Sequence, residues 1–377
     1  MKIKKFTALA AASALAFTLT ACGGDANSGN KTTESATTEA ATNNAGSSDS
    51  GISGTINGSG ASSQVNAQQA WRDAFVQKNS GATVNYEPTG SGTGREQFLT
   101  GKVAYAGTDS IFDEEELAKV GQGSQCASDV LIELPVYISP IAVAYNLPGV
   151  DNLNLTGETV AKIFKGEIKK WNDAAIAETN QGVNLPDLDI IPVNRSDDSG
   201  TSKNFQGYLQ EAAPDVWTDK PSDTWPITGT QSAQQTSGVV NLVKTTEGAI
   251  TYADYSQIGD LKAAKLQVGS DFVGPTPEAA AAIVDGSPAT EDATDTRLTV
   301  DLKRDGSIED AYPAVMISYL VACQDYKDAS VGSLVKEFFT YVVSAEGQER
   351  AASAKGGNAP ISDALRKEAE AAIAKIK

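Results

Sequence analysis

Three stretches of the chain share one pattern. "NGSGASSQ" (57–64), "GSGTGREQF" (90–98) and "SDDSGTSKNF" (196–205) each place glycine and small hydroxyl residues between a β-rich run and a helix-like one. A helix entrance has backbone N–H groups without intrahelical partners and a partial positive charge. Serine or threonine there can cap the helix. Together with the N–H groups, it can also enclose an anion. A single such turn reads as a cap, whereas three on one chain raise the second use, convergence on one anion. None of the turns reads G-x-x-x-x-G-K-[ST], and "GSGTGREQ" lacks the G-x-G-x-x-G spacing. A small free anion therefore fits better than a nucleotide.

Composition narrows the chemistry. The 377 residues carry a formal net charge of −18 and include no histidine. The acidity argues against nucleic acid as a partner, which calls for a basic face. Without histidine there is no Ser-His-Asp or Cys-His site and no zinc site built on His. Three cysteines are too few for a Cys-rich metal cluster. No cofactor is expected.

The turns need strands and helices on either side, and the sequence supplies them. "GTIN" (54–57), "ATVNYE" (82–87), "VAYAG" (103–107) and "LDIIPVN" (188–194) read as strands. Between Gln64 and Asn79, the spacing of Ala67, Ala70, Trp71, Ala74 and Phe75 predicts a helix with one apolar face. A helix through Phe98 and Leu99 follows the second turn, and one bearing Phe205, Tyr208 and Leu209 follows the third. Repeated strand–turn–helix units predict an α/β architecture. The length allows about two domains.

The N-terminus reads as an export signal. Lys2, Lys4 and Lys5 precede a small, apolar run from Phe6 to Ala21, too short for a comfortable membrane span. The run ends in Leu19-Thr20-Ala21-Cys22, which resembles a bacterial lipobox. Residues 1–21 are expected to be a signal peptide, with Cys22 lipidated as the new N-terminus. Their removal would take the formal charge from −18 to −21. The segment 22–50, with "DANSGNKTTESATTEAATNNAGSSDS" at its end, has almost no large apolar group. It is expected to act as a tether reaching about 30 Å. Cys126 and Cys323 remain in the exported part. An even pair in an oxidising compartment is more often bridged than free, and their separation in sequence decides neither way.

At the three turns the chain resembles PstS, the phosphate-binding family of bacterial phosphate ABC transporters. "GSGASS", "GSGTGREQF", "AGTDS" and "NRSDDSGTS" occur in that family's order and at similar spacing. "YNLPGV" (145–150), "IFKGEIKKWND" (163–173) and "EGAITYADYS" (247–256) extend the likeness over most of residues 55–360. The resemblance implies a two-lobed, periplasmic-binding-protein-like (type II solute-binding) α/β fold with two interlobe crossings, near Val136–Pro140 and Tyr312–Ala314. Lobe 1 would comprise 51–138 and 313–377, and lobe 2 would comprise 139–312. Cys126 and Cys323 would then both lie in lobe 1 and form a disulfide.

The implied activity is capture of inorganic phosphate at the outer face of the cytoplasmic membrane and delivery to a membrane-embedded ABC permease, with no enzymatic step. A phosphatase or a surface adhesion lipoprotein is the competing class. By motif position, the resemblance implies phosphate ligands at Ser62, Ser63, Ser91, Asp109, Arg195, Ser199, Gly200 and Thr201. The side-chain role of Ser63 stays open, because the family uses a backbone N–H there. Asp197 is expected to hold the Arg195 guanidinium, and Asp198 to face solvent. Asp109 either accepts a proton from the anion or caps a helix beginning near Phe112.

Overall fold

The computed structural model describes residues 52–355 and 357–377, so Cys22 and the 23–50 segment lie outside the described residues. The strands in chain order are β1 (Ser53–Gly60), β2 (Gly81–Glu87), β3 (Tyr105–Thr108), β4 (Leu131–Tyr145), β5 (Asn154–Leu155), β6 (Ile191–Arg195), β7 (Gln231–Ala233), β8 (Ala249–Asp254), β9 (Lys262–Ala263), β10 (Lys265–Val268), β11 (Asp271–Val273) and β12 (Val315–Cys323). The helices are α1 (Val65–Lys78), α2 (Ser91–Leu99), α3 (Glu114–Leu117), α4 (Gly157–Phe164), α5 (Ala174–Glu178), α6 (Gly200–Ala212), α7 (Gln235–Thr245), α8 (Pro277–Asp285), α9 (Ala329–Val343), α10 (Ala345–Ser353) and α11 (Asp363–Ile373).

The main sheet runs β2-β1-β3-β12-β4-β8-β6-β7. All fifteen residues of β4 are buried, the near-continuous apolar run of a strand covered on both faces. From Leu131 to Pro140 it pairs antiparallel with β12, and from Ile141 to Tyr145 it pairs with β8. One strand therefore joins two half-sheets. The handover falls at Pro140, which has no N–H to give a neighbour. The chain returns beside it, where Ile141 N–H donates to Ala314 O at 2.6 Å and Tyr312 Oη–H donates to Ile141 O at 3.0 Å.

Local patterning explains the layers. In β2, Ala82, Val84 and Tyr86 are buried while their neighbours are exposed, the period of a strand covered on one face. The apolar stripe of α1 puts Phe75 edge-on against Phe338 of α9, with ring centroids 5.4 Å apart. In the other half-sheet, Phe205 of α6 stacks on Tyr252 of β8 at 4.6 Å, and Trp225 stacks on Tyr252 at 5.0 Å. Cys126 and Cys323 are joined, with Cα atoms 5.1 Å apart, tying the segment before β4 to the end of β12.

One stretch attaches differently from the lobe division read in the sequence. Residues 290–300 belong to the expected lobe 2, yet Leu298 N–H donates to Glu133 O (2.9 Å) in the first half of β4, and Arg297 Nε donates to Glu133 Oε2 (3.0 Å). Glu133 is fully buried. Burial pushes its carboxyl up to about 7 despite Arg297 and the Phe112 N–H. A buried carboxylate needs such partners, and Arg297 arrives from this distant stretch.

Candidate anion-binding site

The carboxyl ends of the strands meet at the junction of the half-sheets, the place where open α/β sheets hold ligands. In the first half, β1 ends at Gly60 and leads to Ser62 and Ser63, while β2 leads to Ser91 and β3 leads to Asp109. The turns are stitched together: Ala61 N–H donates to Gly107 O, and Gly90 N–H to Gly60 O, each at 2.8 Å. Gly60 has φ 141°, and a Cβ there would lie 1.9 Å from Gly107 O, so only glycine fits.

Asp109 is the hub. Its Oδ1 accepts from Ser63 Oγ at 2.7 Å and from Ser318 Oγ at 2.5 Å, and its Oδ2 accepts from Thr201 Oγ1 at 2.9 Å. Its own N–H donates to Ser91 Oγ at 3.1 Å. One residue thus touches the entrances of α1, α2 and α6. Burial raises the Asp109 carboxyl above its ordinary value, and the three hydroxyl bonds and the Arg195 charge only partly offset this. Gly200 packs directly on it, since a Cβ there would lie 2.7 Å from the Asp109 Cβ. The helix after Asp109 begins at Glu114 and is capped by Asp113, so Asp109 is not a helix cap.

Arg195, at the end of β6, is buried and grips Asp197 with Nε to Oδ1 at 2.8 Å and Nη2 to Oδ2 at 2.5 Å. Asp197 Oδ1 also accepts the Gln235 N–H at 3.0 Å. Gln235 has φ 62°, a conformation costing a non-glycine residue about 1–3 kcal/mol. The Asp197 carboxyl lies below its ordinary value: burial raises it, and the Arg195 bonds and charge outweigh that. Ser199 Oγ accepts Ser202 N–H at 3.2 Å and caps α6. Asp198 is exposed. Among the described residues no group of three or more Cys, Asp and Glu is placed to hold a metal ion.

A PBP superfamily domain matches residues 30–346. Phosphate-binding protein PstS 3 of Mycobacterium tuberculosis is 34% identical over 99% of both chains. PstS 3 of Mycobacterium leprae is 35% identical over 83% of this chain and 84% of that one. The chain belongs to the PstS family. A phosphate-binding protein from Stenotrophomonas maltophilia shares the fold, with a TM-score of 0.68 at 23% identity over 85% of this chain and 94% of that one.

The PstS motif positions lie together, but the sequence reading missed residues beside them. Thr236 opens α7, where Ser62 Oγ lies 3.0 Å from its Oγ1 and accepts its N–H at 3.1 Å. The signal was present, because "QQTSG" (234–238) repeats the small-residue entrance of the other turns. Ser318 gave no signal, being one hydroxyl in the apolar run "VMISYLVAC". A register shift at Ser318/Tyr319 opposite β4 accompanies its contact with Asp109, and bulges commonly re-aim a side chain in this way. Gln257, whose Nε2 donates to Ser62 O (2.9 Å) and Ser63 O (2.8 Å), was also missed.

Proposed function

We infer that this chain binds inorganic phosphate in the cleft between two lobes outside the cytoplasm and passes it to an ABC permease, without covalent chemistry. The observation that carries the reading is Asp109. A carboxylate at the centre of hydroxyls and helix entrances repels an anion unless the anion brings a proton. Hydrogen phosphate has that proton, and sulfate at neutral pH does not. The hydroxyls of Ser62, Ser91 and Ser199 and the backbone N–H groups of Ser63, Gly200 and Thr201 satisfy the remaining oxygens, and Arg195 supplies the one cationic partner. Such a site is compatible with an acidic chain.

The half-sheets act as the lobes, 51–138 with 313–377 and 139–312, with residues 290–300 travelling with lobe 1. Closure about the paired crossings at Pro140 and Ala314 brings the entrances of α1 and α2 onto those of α6 and α7. The PstS 3 proteins of the two mycobacteria and the Stenotrophomonas maltophilia protein are phosphate-binding proteins, which supports this ligand. Calorimetry with phosphate and sulfate in parallel tests it. Tight phosphate binding is expected, with sulfate bound weaker by several orders of magnitude. Equal binding of both, or turnover of a phosphomonoester by the pure protein, would overturn it.

The lipobox sequence supports anchoring through a lipidated Cys22 on the outer face of the membrane. Cys22→Ala should lack the lipid mass and leave the membrane fraction. A variant that keeps both would contradict the anchor.

A further inference from the structure

The loop after α6 does something the anion ligands do not. It reaches across the cleft and is held on both sides by one residue, Asp223. On the lobe 1 side, Asp223 Oδ2 accepts from Arg95 Nη2 at 2.5 Å, and Oδ1 accepts from Ser110 Oγ at 2.6 Å. On its own side, Asp223 O accepts the Ser199 N–H at 2.9 Å. Ser110 directly follows Asp109, and Ser199 is the cap that precedes Gly200 and Thr201. The residue therefore joins both walls of the anion site at points adjacent to the ligands.

The receptor for this carboxylate is prepared in advance. Arg95 Nε donates to Glu116 at 2.8 and 3.1 Å, and its Nη1 donates to Thr108 Oγ1 at 2.9 Å, so lobe 1 alone fixes the guanidinium. The loop is equally anchored in lobe 2. Gln206 Nε2 donates to Ser222 O at 2.6 Å, and Trp225 stacks on Tyr252. The side chains of Arg95 and Asp223 are only 8% and 14% exposed. At such exposure solvent screening is weak, and the pair resists separation more than a surface ion pair would. The Asp223 carboxyl sits below its ordinary value: burial raises it, and the Arg95 charge and the Ser110 bond prevail. It is therefore ionised at neutral pH.

We propose that Asp223 is a positioning residue that latches the lobes closed and so sets how long a bound phosphate stays. This rests on the phosphate-binding reading above. Opening the cleft must break the Arg95–Asp223 pair, whereas entry into the open cleft does not involve it. The latch acts on release, in keeping with the general behaviour of buried charge pairs across an interface.

The test is stopped-flow kinetics of inorganic phosphate, followed by tryptophan fluorescence or a phosphate-competition assay, on the wild-type protein, Asp223→Asn and Ser110→Ala. Wild-type binding is measured first, so a wild type that does not bind phosphate sinks the functional reading, and the latch is judged only on a protein that does. For Asp223→Asn the dissociation rate should rise on the order of 10–100-fold, with the association rate within about twofold of wild type. Ser110→Ala, which removes one donor and preserves the ion pair, guards against misfolding of the first variant. It should raise dissociation about tenfold, the low end of the worth of one hydrogen bond to a charged group. The phosphate-to-sulfate ratio should be unchanged in both, since Asp109 is intact. Unchanged dissociation rates would overturn the latch. So would an association rate that falls by the whole factor lost in affinity, because Asp223 would then merely shape the Ser199 turn.

Discussion

Asp109→Asn separates selectivity from affinity at this site. The substitution keeps the volume and one acceptor oxygen for Ser63 or Ser318, and replaces the charged oxygen facing Thr201 or its counterpart with an N–H donor. With phosphate, the lost interaction is one hydrogen bond to a charged acceptor, about 1.5 kcal/mol at the low end, so affinity should fall about tenfold. With sulfate, the wild-type site opposes lone pairs to lone pairs in a buried cleft. A site built around one hydrogen bond rejects an analogue lacking it by on the order of 10⁴–10⁵ in favourable cases. Removing the carboxylate relieves an unsatisfied buried contact of about 1–3 kcal/mol, a gain of roughly 5–150-fold for sulfate. The phosphate-to-sulfate affinity ratio should therefore fall by roughly 10²–10³ in total. Calorimetry with each anion on both proteins reads the ratio directly, with circular dichroism to show that the variant is folded. A ratio within twofold of wild type would refute the reasoning and leave Asp109 as a brace for the surrounding hydroxyls.

Other outcomes follow from single contacts. Asp254 is fully buried, accepts from Tyr137 Oη at 2.9 Å and from Ser256, and is pushed by burial from 3.8 up to about 6. Its contribution to stability is therefore complete below pH 3.8 and lost as pH rises through about 6. Asp254→Asn should match wild type near pH 4 and exceed it at pH 8 by up to about 3 kcal/mol; a melting-temperature difference independent of pH would contradict this. Gly200→Ala would push a methyl to 2.7 Å from the Asp109 Cβ. Phosphate Kd should rise about 5–150-fold, in line with overpacking costs of about 1–3 kcal/mol, and an unchanged Kd would show that the turn yields freely. Reducing the Cys126–Cys323 bridge, which spans 197 residues, should lower stability by about 2–4 kcal/mol. Two reactive thiols in non-reducing denaturant would mean that the exported protein carries no bridge.

The parts of this fold that were legible in the sequence are those fixed by local pattern. The apolar face of α1 and the alternation in β2 follow from spacing alone, and the helix entrances at Ser62, Ser91 and Ser199 follow from small residues placed between a strand and a helix. Thr236 carries the same small-residue signal, but the strand before it, β7, is only three residues long, too short to show an alternation. Ser318 and Asp223 were not legible. Each acquires its role from a partner more than a hundred residues away, Asp109 for the first and Arg95 for the second. A lone hydroxyl in an apolar strand and an acid in a polar loop look the same whether or not such a partner exists. The attachment of residues 290–300 to Glu133 belongs to the same class: a buried carboxylate demands a cation, but nothing local says that Arg297 will provide it. Ser63, whose side-chain role was open, donates to Asp109, because the turn after β1 and the end of β3 are bonded side by side.

The central claim is that one protonated anion sits where the entrances of α1, α2 and α6 meet around Asp109. The measurement that tests it most directly is a crystal structure of the protein grown with inorganic phosphate. The account predicts a tetrahedral anion contacting the turns at Ser62–Ser63, Ser91 and Ser199–Thr201, with one of its oxygens within hydrogen-bond distance of an Asp109 carboxylate oxygen and Arg195 on another. An anion bound elsewhere, or held in this cleft with every oxygen turned away from Asp109, would contradict it.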